Sequence, residues 1–527
     1  MDRHNAFDNA DVVYLILSCL APDIDNCELW ESESRARSRS LARCARVCSS
    51  LRLPALQVLW RRLEDMLPLL RLFSGLQIVE ANDINGGVAL YTLTSEILTH
   101  EWETFRVYAE YVQRVDSIFR PAGFAAKTRI DPSVWIQLGH LACGSPLFPN
   151  LLELGWVILS PQCTGLLFFL STTLTRLGIV CFGIDEDAVP DNDDEWQAVL
   201  QALLPTTFQV ASRITRLTMA TGQIDYFSPH LSNLHSLRCF RGTKVDIRTL
   251  RALASLTEHE ELCVHRFDTT DEPSVSFSGF PRLRVLIIAE HPSSNLVYDA
   301  FASPQLEELL IREYPGQYPL NITDSCKIWA HRFPSLQTLS FYISKEDHDG
   351  PPRWRPLRDA VAPLLALRNL RIAKLATWYT MFSIDDADMT AFAQAWPRLQ
   401  SLQLCFTFGG YGPGSRPMPS PTPSSLLTLA TRCPDLKEIR IRRLTVLRNS
   451  LPLLDEHSVP RHHGLQRLGV QHGNLEDAMV PEFARWLDHL FPRLVPKALN
   501  LDESWMRVLD AVKICQAERL QQQPLPE

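Results

Sequence analysis

The chain has 527 residues, is 46% hydrophobic and carries a formal charge of −8, so it can bury a large core and has no strongly basic block to hold nucleic acid. No run of about 18 apolar residues occurs, and the richest stretch, residues 151–177, is broken by Glu153, Pro161, Gln162 and Arg176, which argues against a membrane span. The 13 cysteines form no Cys-x-x-Cys pair and the N-terminus lacks a basic cluster ahead of its apolar stretch, so the expectation is free thiols in the cytoplasm or nucleus.

The first predicted element is a helix. Val12, Val13, Ile16, Leu17 and Leu20 fall at i, i+1, i+4, i+5 and i+8 on one helical face, and Asp8 or Asn9 is placed to cap it. A polar insert follows over residues 23–40. Two more helical patterns come next: Leu41, Ala45, Cys48 and Leu51, then Leu56, Leu59, Trp60 and Leu63, with Pro54 positioned to open the last. Together they predict a three-helix bundle over residues 1–63. Residues 64–147 read as a mostly helical linker leading into a first repeat, with Phe105, Tyr108, Val112 and Val115 spaced along one segment.

From residue 148 to 474 one phrase returns: an aromatic residue, Pro-x-Leu-x-x-Leu, then an apolar residue two places on. It stands at Phe148, Phe280, Phe333 and Trp396. A single copy cannot bury its own leucines, so the copies must stack and share a core. Shorter copies keep two anchors: Leu174 with Leu177, Ile214 with Leu217, Leu234 with Leu237, Leu306 with Leu309, Leu367 with Leu370, Leu436 with Ile439 and Leu465 with Leu468. A degenerate copy surrounds Glu261, Leu262 and Val264. Helical stretches starting near Glu195, Asp246, Asp324, Leu357 and Asp385 alternate with these phrases. The pattern predicts an α/β leucine-rich-repeat solenoid, with parallel strands on its concave face and each proline marking the end of a preceding helix. Loops rich in Gly, Pro or charge begin at Lys345 and Gly409. Residues 475–520 read as two helices capping the array, and 521–527 as a disordered tail.

The N-terminal pattern resembles an F-box. Asp11, Val12, Val13, Ile16, Leu17 and Leu20 occupy the places of that family's opening helix, and Leu41, Cys44, Val47, Cys48, Leu51, Leu56, Leu59 and Trp60 match its second part. Combined with the segment Trp102, Phe105, Tyr108, Ala109 and irregular repeats, the chain looks like the large set of fungal F-box proteins. The resemblance implies a non-enzymatic adaptor of a ubiquitin ligase. Its N-terminal bundle would bind a Skp-type adaptor, and through it a cullin, using Val12, Val13, Ile16, Leu17, Leu20, Leu41, Val47, Leu51, Leu56, Leu59 and Trp60. The repeats would select a protein substrate. A leucine-rich scaffold whose bundle only caps the array is the alternative.

Side chains alternate across a strand, so the residues flanking the second leucine of each phrase should face outward from the repeat core. Among those places Arg312, Tyr342, Arg371, Arg440, Arg442 and Arg467 predict an arginine-rich surface able to hold carboxylates or phosphates of a substrate. No phosphate-binding glycine loop or nucleophile elbow occurs. His259, Glu260 and His265 lack zincin spacing because Cys263 stands where the second histidine is needed. The acidic run 185–195 lacks the ligand alternation of a calcium loop and reads as a helix cap. No catalytic residue, metal or cofactor is therefore expected.

Overall fold

The computed structural model describes residues 9–21, 30–80, 89–116, 128–158, 164–181, 193–220, 228–268, 277–290, 295–312, 322–343, 355–378, 382–407, 419–448, 451–454, 463–496 and 503–522. Asp8, most of the acidic run and most of the two Gly/Pro or charged loops lie outside them. The chain divides into two compact units, 1–244 and 245–527.

The first unit opens with three helices, Ala10–Ser18, Trp30–Cys44 and Ser49–Trp60. Asn9 caps the first, its side chain accepting from the backbone N–H groups of Asp11 and Val12 at 3.0 and 3.3 Å. The polar insert is helical from Trp30 onward and continues into the second helical pattern, with Leu41 buried near the helix's C-terminal end. Pro54 lies inside the third helix instead of opening it, because extended Cys48 already sets the start at Ser49.

The described residues of 64–147 are not mostly helical. Leu76–Glu80 runs antiparallel to Ala89–Leu93, which pairs in parallel with Thr128–Ile130, beside helices Thr99–Ala109 and Pro132–Ala142. The parallel ladder also starts earlier than predicted, at Arg62–Leu63, and continues through Arg114–Asp116, Glu153–Ile158, Arg176–Cys181, Arg216–Ala220 and Cys239–Asp246. The first two strands are three residues or fewer, too short to show alternation in a sequence.

In the second unit the ladder runs in parallel through Glu261–Asp268, Val285–Ile288, Glu308–Ile311, Thr338–Ile343, Ile372–Trp378, Ser401–Thr407, Glu438–Val446 and Arg467–Leu475. Leu339, Leu402, Ile439 and Leu468 are buried on one face of this sheet. That face meets the helices: Trp329, on the helix Ile322–Arg332, packs against Phe341 at 5.7 Å between ring centroids. Each fully buried anchor of this kind is worth roughly 1.5–3 kcal/mol against exposure. This is the leucine-rich-repeat arrangement, in the α/β class.

The repeated phrase is a tight turn. Leu151, Leu283, Leu336 and Leu399 each donate a backbone hydrogen bond to the aromatic residue three places earlier, Phe148, Phe280, Phe333 and Trp396, at 3.1–3.2 Å. The proline sits second in the turn, where its fixed φ is already correct, and the aromatic ring is buried beneath. The next two N–H groups then converge on one carbonyl of the preceding repeat, as Gln337 and Thr338 do on Glu307, both at 2.8 Å. The proline therefore starts the strand as much as it ends the helix.

Two copies are shifted by three residues from their predicted register. Phe240 pairs with Leu217, and Ala373 with Leu339, so the strand anchors are Phe240 and Ala373, and Leu237 and Leu370 belong to the preceding turn. In the degenerate copy His259 stands three residues before Leu262, the place that Leu283 holds before Leu286, and it is fully buried against Phe280.

After the ladder come helices Val480–Leu490 and Glu503–Gln522. Phe483 packs on Trp505 at 6.2 Å, and Arg519 donates two hydrogen bonds to the Asp488 carboxylate at 3.0 and 3.1 Å. The last helix runs into the segment expected to be disordered, ending at Gln522.

Candidate interaction surfaces

The N-terminal bundle is closed by Val13, Leu17, Leu41, Ala55 and Val58, with Tyr14, Leu20, Leu51 and Leu59 partly buried around them. Of the residues predicted to meet a partner, Val13, Leu17 and Leu41 are therefore core, and their side chains are occupied inside the bundle. Ile16 and Val47 are exposed, at 50% and 70%. Val12, Leu20, Leu51, Leu56, Leu59 and Trp60 are half-buried. Trp60 is engaged within the same unit, 4.8 Å from Tyr108 between ring centroids.

Two exposed leucines fall outside the predicted stripe: Leu15 at 65% and Leu53 at 51%. Val12, Leu15 and Ile16 are three and four residues apart, so they share an outward face of the first helix. Helical spacing alone could have located Leu15 there once Val13 and Leu17 were assigned to the core.

On the second unit, the sheet face opposite the helices carries mostly polar side chains in register. One row runs through Thr338, Ile372, Ser401, Glu438 and Arg467, the next through Ser340, Lys374, Gln403, Arg440 and Gly469. Arg440 Nε donates to Glu438 Oε1 at 2.7 Å, Arg467 lies 3.9 Å from the same oxygen, and the Ser401 hydroxyl donates to Glu438 Oε2 at 3.3 Å. Burial opposes ionisation of Glu438, but Arg440 and Arg467 with the Ser401 hydroxyl outweigh it and hold the carboxyl below its usual range. Arg440 and Arg467 are thus already committed to an internal carboxylate.

The other predicted surface residues spread out. Tyr342 and Arg442 are half-buried within strands, and exposed Arg312 directly follows its strand. Arg371 precedes the strand Ile372–Trp378, in the turn, where its carbonyl accepts from Gln400 and Ser401. The three-residue shift at Leu370 explains that displacement, and it puts Lys374 in the outward row beside Ser340 and Gln403.

Buried thiols are inert by position. Burial pushes Cys181 and Cys433 up to about 12. Exposed Cys48, at the start of the third helix, is lowered by the Ser50 hydroxyl and nearby backbone N–H groups. Among the described residues no group of three or more His, Cys, Asp or Glu side chains could hold a metal ion, and no helix is long and apolar enough to cross a membrane.

No family model and no curated protein matches the chain. Solved structures give weak overlaps. An internalin of Listeria monocytogenes superposes over 72% of this chain and 86% of its own, at 14% identity and a TM-score of 0.30. A second Listeria monocytogenes internalin, C2, covers 51% and 84% at 14% identity and a TM-score of 0.21. The Drosophila Toll–Spatzle complex covers 79% and 61% at 10% identity and a TM-score of 0.29. Superpositions this loose carry no weight; the fold rests on the chain's own ladder, turns and buried anchors.

Proposed function

We propose that the chain is a protein-interaction scaffold of the F-box type. Its N-terminal bundle would dock on a Skp-type adaptor and so on a cullin, and its repeats would hold a protein substrate for ubiquitin transfer. The observation that carries this reading is the bundle's leftover apolar surface. After Val13, Leu17, Leu41, Ala55 and Val58 close the core, Leu15, Ile16, Val47 and Leu53 remain exposed. Unburied apolar side chains on a small bundle suit contact with the helices of another protein.

A second reading, a leucine-rich scaffold in which the bundle only caps the first repeats, is favoured by the Trp60–Tyr108 contact. Co-purification of the full chain with a Skp-type adaptor separates the two: stoichiometric capture supports the first, and none supports the second. With Arg440 and Arg467 held by Glu438, substrate contact on this face would fall to Arg312, Tyr342 and Lys374.

A further inference from the structure

We propose that a polar pocket at the C-terminal ends of the last two strands binds a phosphate group. The pocket has a volume of about 530 Å³ and is lined by Arg443, Thr445, His472, Gly473 and Asn474 from the strands, and by Ser420 and Thr422 from the loop opposite.

The ladder fixes half of it. Arg443 pairs with His472 and Thr445 with Asn474, so a guanidinium, a hydroxyl and an amide stand together on the sheet beside His472, which already has an interaction of its own. Strand alternation sets Arg443 and Thr445 on the face that Ile439 and Ile441 turn toward the helices. At this level the helix layer has ended: the helix Pro423–Arg432 begins only after its cap, Thr422. The sheet overhangs that helix start, and the overhang is the pocket. Its loop wall is tied to the strand by Thr445 N–H donating to Pro421 O at 2.9 Å and by the Ser420 and Thr445 hydroxyls 2.6 Å apart. The other side is backed by buried Leu444 and Val446 and by Trp505 next to Gly473.

The charge balance favours an anion. The lining holds no carboxylate, and among the described residues none lies within ion-pair distance of Arg443. Of the acids near the pocket among the described residues, Asp386 is consumed by the helix start, accepting from Thr422 N–H, the Thr422 hydroxyl and the Ser425 hydroxyl, and Glu476 and Asp477, just beyond Asn474, pair with Arg448 and Arg507. Of the Ser420 and Thr445 hydroxyls one donates to the other, which leaves one proton for a ligand. Donors therefore converge from two strands and a loop. Convergence from several directions fits a tetrahedral phosphate better than a planar carboxylate, and the guanidinium supplies the charge-assisted bonds.

Calorimetric titration of the full chain with inorganic phosphate, O-phospho-L-serine and acetate tests this. Saturable binding of a phosphate probe, weakened about tenfold or more by Arg443→Gln, is the expected result. Tighter binding of inorganic phosphate would identify the free ion as the natural source, and tighter binding of phosphoserine an esterified group. Asn474→Ala, at an exposed position, should also weaken binding and serves if Arg443→Gln does not fold. No saturable binding of either phosphate probe, binding untouched by both variants, or acetate binding as tightly as phosphate would overturn the proposal. Adaptor capture is measured separately, so neither result decides the other.

Discussion

Trp60 closes the third helix of the bundle with its ring 4.8 Å from that of Tyr108, on the helix Thr99–Ala109. The same helix sends Phe105 into a stack with Phe73, Trp102 and Phe148. The bundle is thus joined to the first repeats of its unit by an aromatic seam.

A double-mutant cycle measures that seam. Trp60→Ala and Tyr108→Ala should each lower stability, and the double variant should cost less than their sum by about 0.5–1.5 kcal/mol. Urea unfolding followed by tryptophan fluorescence gives the values, and strict additivity would show the rings to be independent.

The turn motif predicts an ordering of damage. Trp396 is fully buried and its indole N–H donates to Leu364 O at 3.2 Å. Trp396→Ala should cost about 3–5 kcal/mol, whereas Pro397→Ala should cost about 0.4–1 kcal/mol, through the entropy of the unfolded chain. A thermal melt in which the proline variant is the worse of the two would refute the turn's role as described.

Two carboxylates should respond to pH with opposite sign. Burial and Asp385 push Asp388 up to about 6, against backbone N–H bonds from Asp385 and Arg358. Its folded value is raised, so protonation favours the fold: the contribution is fully present below about pH 4 and is lost as pH rises through 6. Glu438 is held low, so its contribution is present above the ordinary glutamate range and is lost as pH falls through the lowered value. Relative to Asp388→Asn, the native chain should gain melting temperature between pH 7 and 5. Relative to Glu438→Gln, it should lose its advantage below about pH 4. Parallel curves in either pair would contradict the assignment.

Thiol labelling provides a check on burial. Under native conditions Cys48 should react first with a disulfide reagent, its thiol being exposed and lowered by Ser50. Cys181, Cys326 and Cys433 are buried and raised, and should react only on unfolding. Mass spectrometry of labelled peptides distinguishes them, and early modification of Cys433 would mean that the repeat around Trp396 is open.

The repeat was legible because its turn is local: an aromatic residue, a proline and a leucine at fixed offsets specify burial, φ and register at once. Register failed where three apolar residues follow at spacing three, Leu234, Leu237 and Phe240 or Leu367, Leu370 and Ala373. Any adjacent pair fits the pattern there, and only the pairing of Phe240 with Leu217 and of Ala373 with Leu339 decides. The strand Arg62–Leu63 was invisible because two residues have no period. On the sheet, arginines at outward positions could be read from alternation, but their engagement by Glu438 depends on a partner across strands. In the bundle, the apolar stripe predicted a shared face, while packing divided it into core Val13 and Leu17 and exposed Ile16.

That division permits the most direct test of the proposed role. The full chain, the variant Ile16→Glu with Val47→Glu, and the core variant Leu17→Ala are each mixed with a purified Skp-type adaptor and followed by size-exclusion chromatography with light scattering. The account predicts a one-to-one complex for the native chain. It also predicts loss of that complex in the Ile16 and Val47 variant at unchanged melting temperature, and a lowered melting temperature for Leu17→Ala. A native chain that elutes alone, or a surface variant that binds as well as the native chain, would contradict it.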